Sequence, residues 1–260
     1  LSTMAKIVAL DRSQLFVKLL EARYRLFLTS FQKENKLMKK VLILGATSAI
    51  AQEVAKIYAH QEATLFLVGR NPAKMEIITQ DLQTRFHKIT LHSLHQDLDQ
   101  VDQHQKLLAT VKQTLETIDI VLIAHGTLGD QRRGEQDFAA TEQEIRTNFL
   151  NIVSLLTLLA NQLEAQKSGC IAVISSVAGD RGRQSNYIYG AAKGALTIFL
   201  QGLRNRLASS QVHVLTIKPG FVDTPMTAHL KKGPLFVKPE VIARGIERAI
   251  RNQKNEVYLP

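Results

Sequence analysis

Tyr189 and Lys193, four residues apart, are the pair in this chain best suited to chemistry. On a helix that spacing puts both side chains on one face. An ammonium beside a phenol favours the phenolate, which would lower the tyrosine pKa toward neutrality and fit it for proton transfer. Tyr187 competes for the role, but it stands six residues from Lys193 and falls on another face. Thirteen residues before Tyr189, Ser176 follows a short apolar run, and its hydroxyl could bind a substrate carbonyl oxygen. Asn148, within Thr147-Asn148-Phe149, is a polar amide among apolar residues. It reads either as a satisfied core residue or as the holder of a water that relays protons.

Gly45-Ala46-Thr47-Ser48-Ala49-Ile50-Ala51 joins an apolar run to an amphipathic stretch. A tight small-residue turn from a strand into a helix makes an anion site, because free N–H groups and the helix dipole face the ligand. The candidate pyrophosphate contacts are Gly45, Thr47, Ser48, Ala49 and Ile50, although small residues here also suit plain helix–strand packing. The second apolar run ends Leu67-Val68-Gly69-Arg70-Asn71, where a dinucleotide fold meets the adenosine ribose. An acid there suits the 2′-hydroxyl of NAD, whereas Arg70 suits a 2′-phosphate through a charge-assisted bond or is a solvated loop arginine. NADP(H) is therefore the expected cofactor, with NAD(H) the lesser option. Asp97 and Leu98, after the third run, are placed to meet the adenine. His87, His92, His95 and His104 cluster nearby, but their spacing fits no zinc pattern, so no metal site is expected.

These residues need a scaffold, and hydropathy patterning supplies one. Val41–Leu44, Thr64–Val68, Lys88–Leu94, Ile120–Ala124, Cys170–Ser175 and Val212–Ile217 read as strands, with Glu256–Leu259 as a seventh. Helical patterns lie between them at 49–60, 72–85, 99–116, 141–166, 189–208 and 239–252. Asn148 then falls in the middle of a long helix, and Tyr189 opens one. Strands alternating with helices predict βαβ units and a parallel sheet covered on both faces. Right-handed crossovers make it a doubly wound α/β sheet, the Rossmann fold, with ligands at the carboxyl ends of the strands. Residues 38–260 are read as one such domain.

Composition narrows the class further. The chain has 260 residues, is 45% hydrophobic and 22% charged, and is thus globular rather than disordered. A single cysteine, Cys170, excludes a disulfide framework and suits a reduced, cytoplasmic compartment. No apolar run approaches the ~18 residues of a membrane span. The net charge of +10 is concentrated: residues 1–40 hold nine Lys/Arg against three acids. No aromatic-plus-basic platform accompanies the charge, so nucleic acid is not an expected partner. Residues 1–37 place Leu15, Phe16, Leu19, Leu20, Phe27, Leu28 and Phe31 near helical spacing among basic residues. They read as an amphipathic helix in peripheral contact with an acidic inner-membrane surface or a partner. Alternatively, Met38 is the natural start and the upstream residues are a remnant.

Asn148, Ser176, Tyr189 and Lys193, together with the Gly45 loop, resemble the short-chain dehydrogenase/reductases over residues 40–259. Lys218-Pro219-Gly220-Phe221-Val222-Asp223-Thr224 is similar to that family's turn after the sixth strand, which holds the nicotinamide end. The resemblance implies an NAD(P)-dependent oxidoreductase with Tyr189 as general acid/base. Lys193 would bind the nicotinamide ribose and tune Tyr189, Ser176 would orient the carbonyl, and Asn148 would support a proton relay. The implied cofactor contacts also include Ala124, Gly126, Pro219, Gly220, Val222 and Thr224. A homodimer or homotetramer is implied as well. Two departures point to a sub-branch: Gly45, Ala49 and Ala51 replace a three-glycine loop, and Ile123-Ala124-His125-Gly126 replaces Asn-Asn-Ala-Gly. Segments 126–130, 175–181 and 225–231 are similar to reductases of a decaprenylphosphoryl 2-keto-pentose, whose members run on past Pro260 into an apolar, basic tail. The expected substrate is a small-molecule carbonyl or a lipid-linked sugar ketone. The rival reading is a catalytically idle NADP-binding sensor or scaffold.

Overall fold

Alternate residues of the inner strands point to opposite sides of the sheet, and both sides are apolar. The computed structural model describes Glu21 and residues 38–260. The chain divides into Leu1–Met38 and Lys39–Pro260; the amphipathic pattern at 1–37, Glu21 apart, lies outside the described residues. Among the described residues seven parallel strands form one sheet: β1 Lys40–Leu44, β2 Thr64–Gly69, β3 Thr90–His95, β4 Ile120–Ile123, β5 Gly169–Ile174, β6 Val212–Pro219 and β7 Glu256–Leu259. Their spatial order is β3-β2-β1-β4-β5-β6-β7. β1 pairs with β2 from Lys40↔Thr64 to Leu44↔Val68 and with β4 from Val41↔Ile120 to Leu44↔Ile123. The winding reverses between β1 and β4, and ligands bind at such a switch point.

The helices are α1 Ala49–His60, α2 Pro72–Arg85, α3 His104–Leu115, α4 Gln131–Gln136, α5 Phe138–Ile145, α6 Asn151–Gln166, α7 Tyr187–Leu207 and α8 Pro239–Arg251. Val41, Ile43, Leu65, Leu67 and Leu122 pack against α1, α2 and α8. Leu42, Leu44, Phe66, Val68 and Val121 pack on the other side against α3, α6 and α7. Each such buried aliphatic side chain contributes about 1.5–3 kcal/mol. β3 sits at the edge and alternates between exposed and partly covered residues, so its sequence is more polar. Among the described residues no helix is long and apolar enough to cross a membrane.

The fourth crossover departs most from the sequence reading. The expected helix over 141–166 is broken into α5, a π-helical turn Arg146–Leu150, and α6, and α4 precedes it. Two aspartates start the extra helices: Asp130 accepts from the N–H groups of Arg132 and Arg133, and Asp137 from that of Ala139. Such caps satisfy otherwise orphaned first-turn donors. Asn148 therefore lies in the π turn, not in regular helix; the Asn151 N–H reaches back five residues to the Arg146 carbonyl. The expected helix over 99–116 begins only at His104, after a 3-10 turn at Val101–Gln103. α7 starts at Tyr187, so Tyr189 stands in its first turn rather than opening it.

Candidate active site

The carboxyl ends of the strands enclose a cleft of about 1180 Å³. The candidate catalytic and cofactor residues border it: Gly45, Thr47, Ser48, Ala49 and Ile50, Arg70, Asp97 and Leu98, Ala124 and Gly126, Asn148, Ser176, Tyr189, Lys193, and Pro219, Gly220, Val222 and Thr224.

One end is built from backbone. Gly45 has φ +85°, and a Cβ there would lie 2.5 Å from the His125 nitrogen. Only glycine lets the β1 turn and the β4 loop approach this closely. The N–H groups of Gly45 and Ala46 both donate to the Val68 carbonyl, at 3.0 and 2.8 Å, which ties the turn to β2. Ser48 occupies the N-cap of α1, yet its side chain makes no capping bond. The first amides of α1 have no intrahelical acceptor, so an open helix N-terminus borders the cleft. A pyrophosphate fits that donor set. Arg70 and Lys74 stand beside it at the end of β2 and in the first turn of α2. Arg70 is largely exposed, its Nη1 4.0 Å from Asp99 Oδ2, and its carbonyl bonds the His95 ring. Asp99 also accepts from Asn151 Nδ2 at 2.7 Å. Leu98 is buried, and its carbonyl is bonded to His104 Nε2. Of the four histidines grouped by sequence, His95 and His104 thus bond the carbonyls of different residues.

The other end carries the titratable side chains. Ser176, extended at the end of β5, caps the turn Val177–Gly179 by accepting from the Ala178 N–H at 3.1 Å. Its hydroxyl also lies close enough to Tyr189 to favour the phenolate. Lys193 is buried; its Nζ donates to the Ile174 carbonyl at 3.1 Å and stands 5.8 Å from the centre of the Tyr189 ring. Burial pulls Lys193 down to about 8, with Glu144 opposing. Tyr189 does not show the lowered pKa expected from its lysine neighbour. Burial pushes it up to about 12, outweighing the Ser176 hydroxyl, and the Glu144 charge adds to the rise.

Asn148 is fully buried. Its Oδ1 accepts from the Thr127 N–H at 3.2 Å, and its Nδ2 donates to Glu144 Oε1 at 2.7 Å and to the Glu144 carbonyl at 3.1 Å. Protein groups therefore satisfy the amide. A Cβ at Gly126 would lie 2.6 Å from Asn148 Oδ1 and 3.5 Å from Lys193 Nζ, so a bare backbone runs between the two side chains.

A family model described as short chain dehydrogenase matches residues 39–234. The uncharacterized oxidoreductase Rv2073c of Mycobacterium tuberculosis is 36% identical over 220 residues, covering 85% of this chain and 88% of the relative. The chain belongs to the short-chain dehydrogenase family. It is an NAD(P)-dependent oxidoreductase. Among solved structures, ElxO with NADP bound superposes with a TM-score of 0.76 at 18% identity, covering 86% of this chain and 97% of that one. A short-chain dehydrogenase from Sphingobium yanoikuyae in complex with NADPH gives 0.77 at 20% identity, covering 85% and 87%. At such identities the likeness is one of fold.

This short-chain dehydrogenase also carries site residues that the sequence reading passed over. Glu144 and Thr127 saturate Asn148, and the four-residue spacing of Glu144 from Asn148 was the available signal. His125 borders the cleft with neither ring nitrogen hydrogen-bonded among the described residues; burial and then Lys193 pull it down to about 3, so it is neutral. Ser175 Oγ donates to the Lys193 carbonyl, tying β5 to α7. Buried Lys218 donates to Asp180 at 2.6 Å, Glu256 at 3.1 Å and the Tyr258 hydroxyl at 3.0 Å. Burial alone would lower its pKa, but these partners hold it above the usual lysine value. Asp180 lies just past the Ser176 turn, so this cluster anchors the reacting loop to β6 and β7.

Proposed function

We propose that this oxidoreductase interconverts a carbonyl group and a secondary alcohol, prefers NADP(H), and uses Tyr189 as its general acid/base. One observation carries the reading. A single cleft has an open helix N-terminus flanked by Arg70 and Lys74 at one end, and Tyr189, Ser176 and Lys193 within reach of one another at the other. When bound, NADP(H) supplies or accepts the hydride at its nicotinamide C4. Gly45, Thr47, Ser48, Ala49 and Ile50 would hold the pyrophosphate, and Arg70 and Lys74 the 2′-phosphate. Asp97 and Leu98 would meet the adenine, and Pro219, Gly220, Val222 and Thr224 the nicotinamide end. Lys193 would bind the nicotinamide ribose. Ser176 Oγ, which accepts from the Ala178 N–H, would donate its proton to the substrate oxygen when substrate is bound. Tyr189 Oη gives or takes the proton, with Asn148 supporting its exchange.

A narrower reading takes the substrate as a polyprenyl-phosphate 2-keto sugar. It is favoured by the cleft lining, which includes Arg132, Arg183 and His229 along with apolar Met226 and Leu230. Such a lining suits an anionic amphiphile. The test is a carbonyl screen following NADPH absorbance, with neutral ketones and lipid-linked sugar ketones, in wild type and Tyr189→Phe. The substitution should remove a factor of roughly 10²–10⁴ in turnover and leave NADPH affinity within a few-fold. Tight NADPH binding with no Tyr189-dependent turnover of any carbonyl would instead favour a non-catalytic dinucleotide-binding protein.

A further inference from the structure

Glu144 is a buried carboxylate that none of the roles above employs. It is the penultimate residue of α5, two residues before the π turn and four from Asn148, and its two oxygens do different things. Oε1 accepts from Asn148 Nδ2 at 2.7 Å, and Oε2 accepts from the Thr127 hydroxyl at 2.8 Å. Beside it lies a side pocket of about 360 Å³ that adjoins the main cleft and shares Thr127, Leu128, Gly129, Asp130, Gln131 and Tyr189 with it. Glu144 and Tyr189 border this same pocket, with Leu128, Ala139, Ala140 and Ile188 as its apolar wall. A space of this size with polar groups on both sides holds ordered water.

We propose that Glu144 is the proton reservoir for Tyr189, exchanging protons with it through water in the side pocket. This rests on the acid/base role proposed for Tyr189. In the reductive direction, with the hydride supplied by the cofactor, Tyr189 Oη loses one proton to the substrate oxygen per turnover and becomes a phenolate. The Glu144 carboxylic acid then gives its proton through water to that phenolate, and solvent reprotonates the resulting carboxylate. One solvent proton is consumed per alcohol formed, and oxidation reverses each step.

The surroundings suit this cycle. Burial raises the pKa of Glu144, while Thr127, Lys193 and Asn148 pull the other way. Once Glu144 is ionised, its charge disfavours the Tyr189 phenolate, so the proton it has given stays on the tyrosine oxygen. The charged and titratable groups facing it are Lys193 and Tyr189 from α7, and Asp130 and Arg133 from the start of α4 across the pocket.

The experiment compares wild type, Glu144→Gln, Glu144→Asp and Tyr189→Phe, with NADPH and a ketone that wild type reduces. Glu144→Gln can still accept from Asn148 through its amide oxygen and donate to the Thr127 hydroxyl through its amide nitrogen, reversing that bond, but it carries no acid proton. Its kcat should fall about tenfold or more, its solvent deuterium isotope effect on kcat should rise, and one limb of the wild-type pH profile should vanish. NADPH affinity should stay within a few-fold. Small acids such as formate, able to enter the pocket, should restore much of the rate, and Glu144→Asp should retain more activity than Glu144→Gln. Infrared difference spectra should show a carboxylic-acid carbonyl band in wild type that Glu144→Gln lacks, a readout independent of turnover. A Glu144→Gln enzyme with unchanged kcat, isotope effect and pH profile overturns the inference, as does a rate loss that formate does not restore. If Tyr189→Phe turns over like wild type, the acid/base reading itself fails; if Tyr189→Phe is inactive and Glu144→Gln is normal, only the reservoir fails.

Discussion

At the scale of single residues, two cationic side chains bear differently on stability. Lys193 is buried with its pKa pulled from 10.5 to about 8. A lysine whose folded pKa is depressed weakens the fold when protonated, because the unfolded chain binds the proton more readily. The burden is full below about pH 8, shrinks as pH rises, and is gone above about 10.5. Lys193→Met should therefore stabilise the ligand-free protein near pH 7, by about 3 kcal/mol as an upper figure, while abolishing turnover. Urea denaturation at pH 7 and pH 10 checks this: the gain should shrink at the higher pH. Arg70 is exposed and weakly paired, so it contributes little to the fold. Its predicted effect is on cofactor choice. A charged hydrogen bond contributes about 1.5–3 kcal/mol, or roughly a ten- to hundred-fold preference for NADPH. Arg70→Asp should turn that preference toward NADH, read as the ratio of kcat/KM for the two cofactors. A wild-type ratio near one, or one unmoved by the substitution, would make Arg70 a solvated loop residue.

At the scale of elements, the site depends on where strands stop and helices begin. β1 ends at Leu44, and Gly45 turns the chain with a positive φ against the β4 loop. Gly45→Ala would cost about 1–3 kcal/mol in backbone strain, beyond the contact with the His125 backbone. The shifted turn should also misalign the N-terminus of α1. The expected result is a lowered urea midpoint together with at least several-fold weaker NADPH binding, measured by fluorescence. The π turn has a comparable role: it marks the change from α5 to α6 and holds Asn148 facing Thr127 and Glu144. Such turns occur mostly at functional sites, and here the neighbouring groups are those proposed to handle protons.

At the scale of the whole molecule, distant segments meet in the Lys218 cluster. The ammonium on β6 joins Asp180 after β5 to Glu256 and Tyr258 on β7. Lys218 is buried, but Asp180 and Glu256 keep about a third of their side chains in water, so removing the lysine costs about 1–3 kcal/mol. Lys218→Met should lower the unfolding free energy by that order in urea melts. Because the lysine pKa is raised in the fold, this contribution is fully present at pH 7 and is lost only in strong alkali. A loss of only a few tenths of a kcal/mol would show the cluster to be ornamental to the fold.

Periodicity is local, so the alternation of strands and helices, the parallel sheet and its buried faces were legible in the sequence. So was the Tyr189–Lys193 pair, because four-residue spacing on a helix is itself a geometric statement. The small-residue turn at Gly45 and the arginine after β2 were legible for the same reason. Other features depended on contacts between segments far apart in the chain. The break at Asn148 was hidden because the apolar pattern runs through the π turn. Glu144 drew no notice as one acid in a polar stretch; the Thr127 loop and α7 packed around it make it a buried carboxylate. The expected lowering of the tyrosine pKa failed on tertiary grounds, since desolvation raised it and the Glu144 charge added to the rise. Spacing determined which side chains share a helix face; only the folded chain decided how much water each keeps, and that sets their acidity.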